Sequence, residues 1–232
     1  MRILSLVLAF TVTQAVAAAP APGDGAFTTL MVQAKNTGAY VAALTANDSA
    51  FKATGTDAAG YCITRSGHDY PGQMMVWSGF ANVAGAMGSI GSYDPFDAPA
   101  EFSKVREIKY AVTWKPLKPF KLDPGFERVF RLVVPPADVP AFVAGITAVE
   151  AGVRAAGMDM NIGVFEPIGG GKHEAGILMM RAVTRDPKSL GTVIDSYYAG
   201  ASYGAPWVEA MSLVTQVESD YTDECVQTYT AQ

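Results

Sequence analysis

The sequence predicts an α+β fold made of two consecutive βαββαβ units, and three observations carry that prediction. Landmarks recur about a hundred residues apart: Leu30 and Leu132 are offset by 102, His68 and His173 by 105, Met74 and Met179 by 105, and Val105 and Val208 by 103. Segments with the period-two alternation of strands interleave with segments of helical period, in the same order in both halves. Between the halves lies KPLKPFKLDPGFE, Lys115 to Glu127, whose three prolines and one glycine read as a linker or stiff crossover.

In the first half, Phe27 to Lys35 alternates Thr28, Leu30, Val32 and Ala34 with Thr29, Met31 and Gln33, which predicts a strand. Asn36-Thr37-Gly38 starts a helix whose apolar stripe, Tyr40, Val41, Leu44 and Phe51, ends at Gly55. Gly60 to Thr64 and Gln73 to Phe80 are strands around the turn formers Ser66 to Gly72. Val83 to Ile90 is a glycine-broken helix, and Val105 to Trp114 a strand rich in β-branched and aromatic residues. The second half repeats the order: strand Val129 to Val134, helix Pro140 to Ala156, strand Met160 to Phe165, loop Glu166 to Ala175, strand Ile177 to Val183, helix Lys188 to Tyr198, strand Val208 to Val217. Pro140 suits a first helical turn, where a missing N–H costs nothing, and Asp186-Pro187 is a similar start. Trp207 to Val217 alone has helical character; its alignment with Val105 to Trp114 assigns it to a strand.

The chain therefore divides into residues 1–19, a first ferredoxin-like repeat over 26–116, a linker over 117–127, a second repeat over 128–222 and a tail over 223–232. Each unit makes a four-stranded antiparallel sheet with two helices on one face. The bare faces bury most economically against each other, which predicts a two-sheet barrel.

Residues 1–19 place Arg2 before an apolar run and small residues up to Ala19, the order of a cleaved secretory signal peptide. Export to the periplasm or medium follows, with no membrane association once the leader is removed. Two cysteines in an exported chain predict one disulfide, Cys62 to Cys225. A formal charge of −5 offers no basic surface for phosphate backbones, which argues against nucleic acid as a partner. Apolar residues make up 50% and charged residues 17%, an excess that calls for extensive burial or an apolar interface.

The run Ala39 to Leu44 followed by Gly55, then Tyr61-Cys62 and the strand ending at Phe80, echoed by Phe142 to Gly157 and Met160 to Phe165, resembles the dimeric α+β barrel superfamily as an internally duplicated pseudo-dimer. The resemblance rests on element order and implies no single activity. The superfamily includes cofactor-independent monooxygenases, haem-degrading enzymes, haem enzymes such as chlorite dismutases, and proteins without known activity.

A haem needs an axial ligand, and His68 and His173 lie on hairpin loops from which a barrel-interior ligand is not expected, so no cofactor is predicted. His68-Asp69 and His173-Glu174 nevertheless make a loop pair of interest, since a neighbouring acid can orient or charge an imidazole; solvated loop residues are the simpler account. Gly169-Gly170-Gly171-Lys172 lacks phosphate-loop spacing. The methionine pairs alternate faces in strands and read as core filling, not as a copper site, so no metal is predicted. What remains is a cavity between the sheets for a small apolar or aromatic molecule, lined by Tyr61, Trp77, Tyr110, Trp114, Asn161 and Phe165. Strand aromatics are also ordinary core. Ligand binding is the leading expectation; a monooxygenase acting on an aromatic substrate and a purely structural domain are the alternatives.

Overall fold

The computed structural model describes residues 23–232. The segment read as a signal peptide lies outside them. The first half runs β1 (Ala26–Ala34), α1 (Thr37–Ala46), α2 (Ser49–Thr54), β2 (Ala58–Ser66), β3 (Gln73–Phe80), α3 (Val83–Ile90), a 3₁₀ turn (Pro95–Asp97), α4 (Ala100–Val105) and β4 (Arg106–Pro116). The second runs β5 (Gly125–Val133), α5 (Val139–Ala155), β6 (Asn161–Ile168), α6 (Gly171–Glu174), β7 (Leu178–Thr184), α7 (Pro187–Tyr198), α8 (Gly204–Met211) and β8 (Gln216–Thr230).

Local chemistry sets the boundaries. The Asn36, Asn82 and Asp186 side chains accept from the backbone N–H groups of Ala39, Gly85 and Ser189, satisfying first-turn donors of α1, α3 and α7. The stripe that predicted one helix up to Gly55 is broken at Asn47, whose side chain accepts from Ser49 N–H and restarts the chain as α2. Gly55 then closes α2 in the left-handed conformation, with φ of 65°. In α5, Phe142, Ile146, Val149 and Val153 recur at helical spacing and are all buried, each contributing roughly 1.5–3 kcal/mol relative to exposure.

One strand assignment is corrected. Residues 204–211 form α8, and the strand that completes the second unit is β8, Gln216–Thr230, which takes in the segment read as a C-terminal tail. The loop Glu166 to Ala175 also contains α6, and the chain between β4 and β5 spans only residues 117–124. That connection is anchored: Lys118 is buried, pairs with Glu150 of α5 and donates to the Ile162 carbonyl at 2.5 Å.

The strands run β4-β1-β3-β2 in one sheet and β8-β5-β7-β6 in the other, and the seams β2–β8 and β4–β6 close them into an eight-stranded barrel. A register shift falls between Met31 and Val32 against β4, and an equivalent one between Arg131 and Leu132 against β8. The structural repeat along β1 and β5 is therefore 100 residues, and Met31 and Arg131 hold equivalent positions. The odd offset of the methionine pairs misleads, because Met74 faces the first half's helices while Met179 faces the barrel interior.

Candidate functional site

The space between the sheets is occupied by side chains of two kinds. The first half supplies Phe27, Met31, Met75, Trp77, Val112 and Trp114, all buried. The second half supplies Val129, Phe165, Met179 and Tyr221 together with buried charge. Arg181 Nε donates to Glu127 Oε2 at 2.8 Å, with the two side chains 3% and 0% exposed. Arg131 Nε lies 3.1 Å and 3.0 Å from the two oxygens of Glu174, whose Oε1 also accepts from the Tyr110 hydroxyl at 2.7 Å. Aromatic faces pack on both guanidiniums, with Arg131 over Trp114 at 5.0 Å and Arg181 over Phe27 at 5.7 Å.

A fifth ionisable group, Asp223, is 1% exposed, and its Oδ1 has no hydrogen-bond partner. Burial, reinforced by the nearby charge of Glu127, pushes its carboxyl up to about 7. With Asp223 protonated, Arg131 and Arg181 balance Glu127 and Glu174. Burial likewise raises the hydroxyls of Tyr110 and Tyr221, so both stay neutral as hydrogen-bonding groups. The Cys62–Cys225 disulfide sits in the β2–β8 seam beside this network, and Glu127 Oε1 lies 3.1 Å from Cys225 Sγ. Among the described residues these three are the one set of donors close enough for a metal, and the disulfide occupies both sulfurs.

The residues chosen from sequence are not gathered into one place. Trp77, Trp114 and Phe165 are packed inside the barrel, and Tyr110 stands at its mouth. Tyr61 faces the opposite way, into the core beneath the first half's helices, because it precedes the inward Cys62 by one residue. Asn161 is tied by its amide to the Lys121 carbonyl at 2.7 Å. His68 is exposed on the β2–β3 loop, while His173 is exposed on α6 with its ring stacked on Tyr110, 4.3 Å between centroids.

Two apolar cavities lie on the other faces of the sheets, beneath the helices. One, of about 350 Å³, is lined by Leu30, Phe51, Val76, Phe102, Thr113 and Arg106, whose Nη1 donates to the Tyr40 hydroxyl. The other, of about 360 Å³, is lined by Phe130, Met160, Met180, Ala182, Tyr203 and Trp207. Its one charged lining residue, Arg128, is paired with Asp220. The two apolar cavities thus lie between each sheet and its helices, while between the sheets a further pocket opens at the barrel mouth, lined by Met31, Tyr110, Arg131 and Tyr221.

This geometry has counterparts among solved structures. A proposed monooxygenase of Lactobacillus acidophilus NCFM superimposes with a TM-score of 0.58 at 14% identity, over 90% of this chain and 96% of that one. The fold is the dimeric α+β barrel. Here both halves of the barrel belong to one chain. A Thermus thermophilus protein identified from its structure as haem-binding gives 0.51 at 9% identity over 88% and 92% of the two chains. Chlorite dismutase from Candidatus Nitrospira defluvii, in complex with imidazole, gives 0.52 at 7% identity over 86% and 91%. No protein-family model matches the chain, and no curated protein matches it in sequence.

Haem held by an imidazole or thiolate does not fit these cavities. Neither histidine lines either apolar cavity, and both cysteines are consumed by the disulfide.

Sequence reasoning missed the charged interior, although a signal existed. Glu127 and Arg131 share one face of β5, opposite the apolar Phe130 and Leu132, and Asp223 shares a face of β8 with Cys225. A disulfide that faces inward carries Asp223 inward with it.

Proposed function

We propose that this is an exported protein that binds a small apolar or aromatic molecule between its second sheet and helices α5, α7 and α8. The observation that carries the reading is the cavity of about 360 Å³, within the ~300–1,000 Å³ range of small-ligand sites. Its walls are aromatic and thioether groups, and methionine adapts to ligands of irregular shape. The equivalent cavity in the first half has Thr28, Ser78, Thr113 and Arg106 among its lining residues. Export is supported by the leader-like first residues and the Cys62–Cys225 disulfide. In addition, no helix among the described residues is long and apolar enough to cross a membrane.

Binding is favoured over oxygenation because the lining residues include no carboxylate or imidazole to move a proton. Titration with naphthalene, followed by calorimetry, tests the reading. Saturable binding that Ala182→Leu abolishes by filling the cavity is the expected result. Unchanged binding in that variant would remove the cavity from consideration. Oxygen uptake on adding an aromatic quinol would instead favour the monooxygenase alternative, to which the described Lactobacillus structure lends its name.

A further inference from the structure

The apolar cavities leave one built feature unused, the barrel mouth at the C-terminal ends of β1 and β5. A pocket of about 760 Å³ opens there, walled by the β2–β3 loop on one side and by α6 and the residues after it on the other. Two buried polar atoms of its lining have no hydrogen-bond partner: Arg131 Nη1 and the Tyr70 hydroxyl. Arg131 and Glu174 are 6% and 1% exposed, so these are not loose surface groups. Buried donors and acceptors are ordinarily paired, and a concentration of unpaired ones in one pocket points to a ligand that pairs them.

The arrangement of Arg131 narrows the ligand class. Its Nε meets both oxygens of Glu174, so the acid fixes the guanidinium from one side while the buried Nη1 is left without a protein partner. Trp114 packs against the guanidinium and Tyr110 holds Glu174, leaving Arg131 little freedom. A planar, fixed guanidinium edge is the complement of a carboxylate. Charge excludes heavier anions: Glu174 already neutralises Arg131, Lys109 is paired with Glu107, and Asp69 and Glu218 stand opposite Lys172 around the rim. One further negative charge is accommodated, whereas two would face these acids.

We propose that the barrel mouth binds a small monocarboxylate, gripped by Arg131 Nη1 and the Tyr70 hydroxyl, with its organic part against Tyr110, Tyr221 and Met31. This site is separate from the apolar cavity and does not depend on it.

The test is calorimetric titration of the disulfide-intact protein with benzoate, with benzamide and inorganic phosphate as comparators. Benzoate is expected to bind, benzamide and phosphate to bind at least about tenfold more weakly, and Arg131→Lys to weaken benzoate by about tenfold or more, because lysine keeps the charge but loses the planar fork. Tyr70→Phe, on a loop, serves if Arg131→Lys fails to fold, and a severalfold loss is expected. Ala182→Leu should leave benzoate affinity unchanged. Benzamide or phosphate binding as tightly as benzoate overturns the proposal, as does indifference to Tyr70→Phe together with a folded Arg131→Lys. Loss of benzoate binding in Ala182→Leu would move the ligand to the apolar cavity and equally overturn it.

Discussion

Asp223 sets how the interior responds to pH. Its carboxyl titrates near 7 in the folded chain, against an ordinary value of 3.8, because burial and the Glu127 charge oppose ionisation. Between those two values the native state keeps a proton that the unfolded chain has released, so stability falls as pH rises through the window and levels off above it. Asp223→Asn should remove that slope. Urea midpoints for the two proteins are expected to coincide near pH 4 and to separate progressively up to about pH 7, the variant becoming more stable by a few kcal/mol. Midpoints that differ by the same amount at every pH would show that Asp223 is ionised in the barrel. The Arg181–Glu127 pair makes a complementary prediction. Arg181→Met leaves the fully buried Glu127 uncompensated and should cost about 3–5 kcal/mol. The double variant with Glu127→Leu should recover most of that loss in the same unfolding assay, since a buried ion pair contributes little more than the apolar groups that can replace it.

At the scale of elements, the β2–β8 seam joins the halves most firmly. It runs from Ala58 opposite Thr230 to Ser66 opposite Thr222, whereas β4–β6 pairs only from Thr113 opposite Ile168 to Pro116 opposite Phe165. Gly60 allows the close approach in the longer seam, because a Cβ there would stand 2.0 Å from the Val226 carbonyl oxygen. Gly60→Ala should therefore force the strands apart and raise amide exchange in residues 58–64 selectively. The disulfide adds to the same seam. Its partners are 163 residues apart, and the loop-entropy model gives about 5 kcal/mol for so long a loop, so Cys62→Ser/Cys225→Ser should lower the urea midpoint substantially. What the sequence conveys about elements follows from where its period is unambiguous. Gln73–Phe80 and Val83–Ile90 have the boundaries expected of them, since turn formers and Asn82 delimit both. Gly204–Met211 shows the opposite case: its own helical period is the correct signal, and the alignment with Val105 to Trp114 misleads. Gln216–Thr230 is hidden because its buried face sets Asp223 between Tyr221 and Cys225, interrupting the apolar alternation, while Glu218, Asp220 and Glu224 lie exposed. The candidate site is illegible for the same reason, since inward polarity reads locally as outward exposure.

At the scale of the whole molecule, the two halves divide the interior unequally, and that division explains why they are fused. The first half contributes Phe27, Met31, Met75, Trp77 and Trp114, with Thr29 Oγ1 accepting from Trp114 Nε1 at 2.9 Å, and the second adds Val129, Phe165, Met179 and Tyr221. The second also contributes Glu127, Arg131, Glu174, Arg181 and Asp223, whose guanidiniums pack against Trp114 and Phe27 of the first. A barrel made from two first halves would bury an apolar interior, which is tolerable. One made from two second halves would bury twice the charge with only the Tyr221 and Phe120 rings against its guanidiniums, at a desolvation cost of several kcal/mol per ion. Separate expression of residues 23–117, carrying Cys62→Ala to prevent cross-linking, and of residues 118–232 should expose the difference. Sedimentation and circular dichroism are expected to show the first fragment as a concentration-dependent folded dimer and the second as unfolded or aggregating. Mixing the two should restore a one-to-one complex more stable than the first fragment's dimer, because only that pairing sets Arg131 against Trp114 and Arg181 against Phe27. A second fragment that folds alone as a monomer would show that its charges are satisfied within one sheet, and the fusion would then need another explanation.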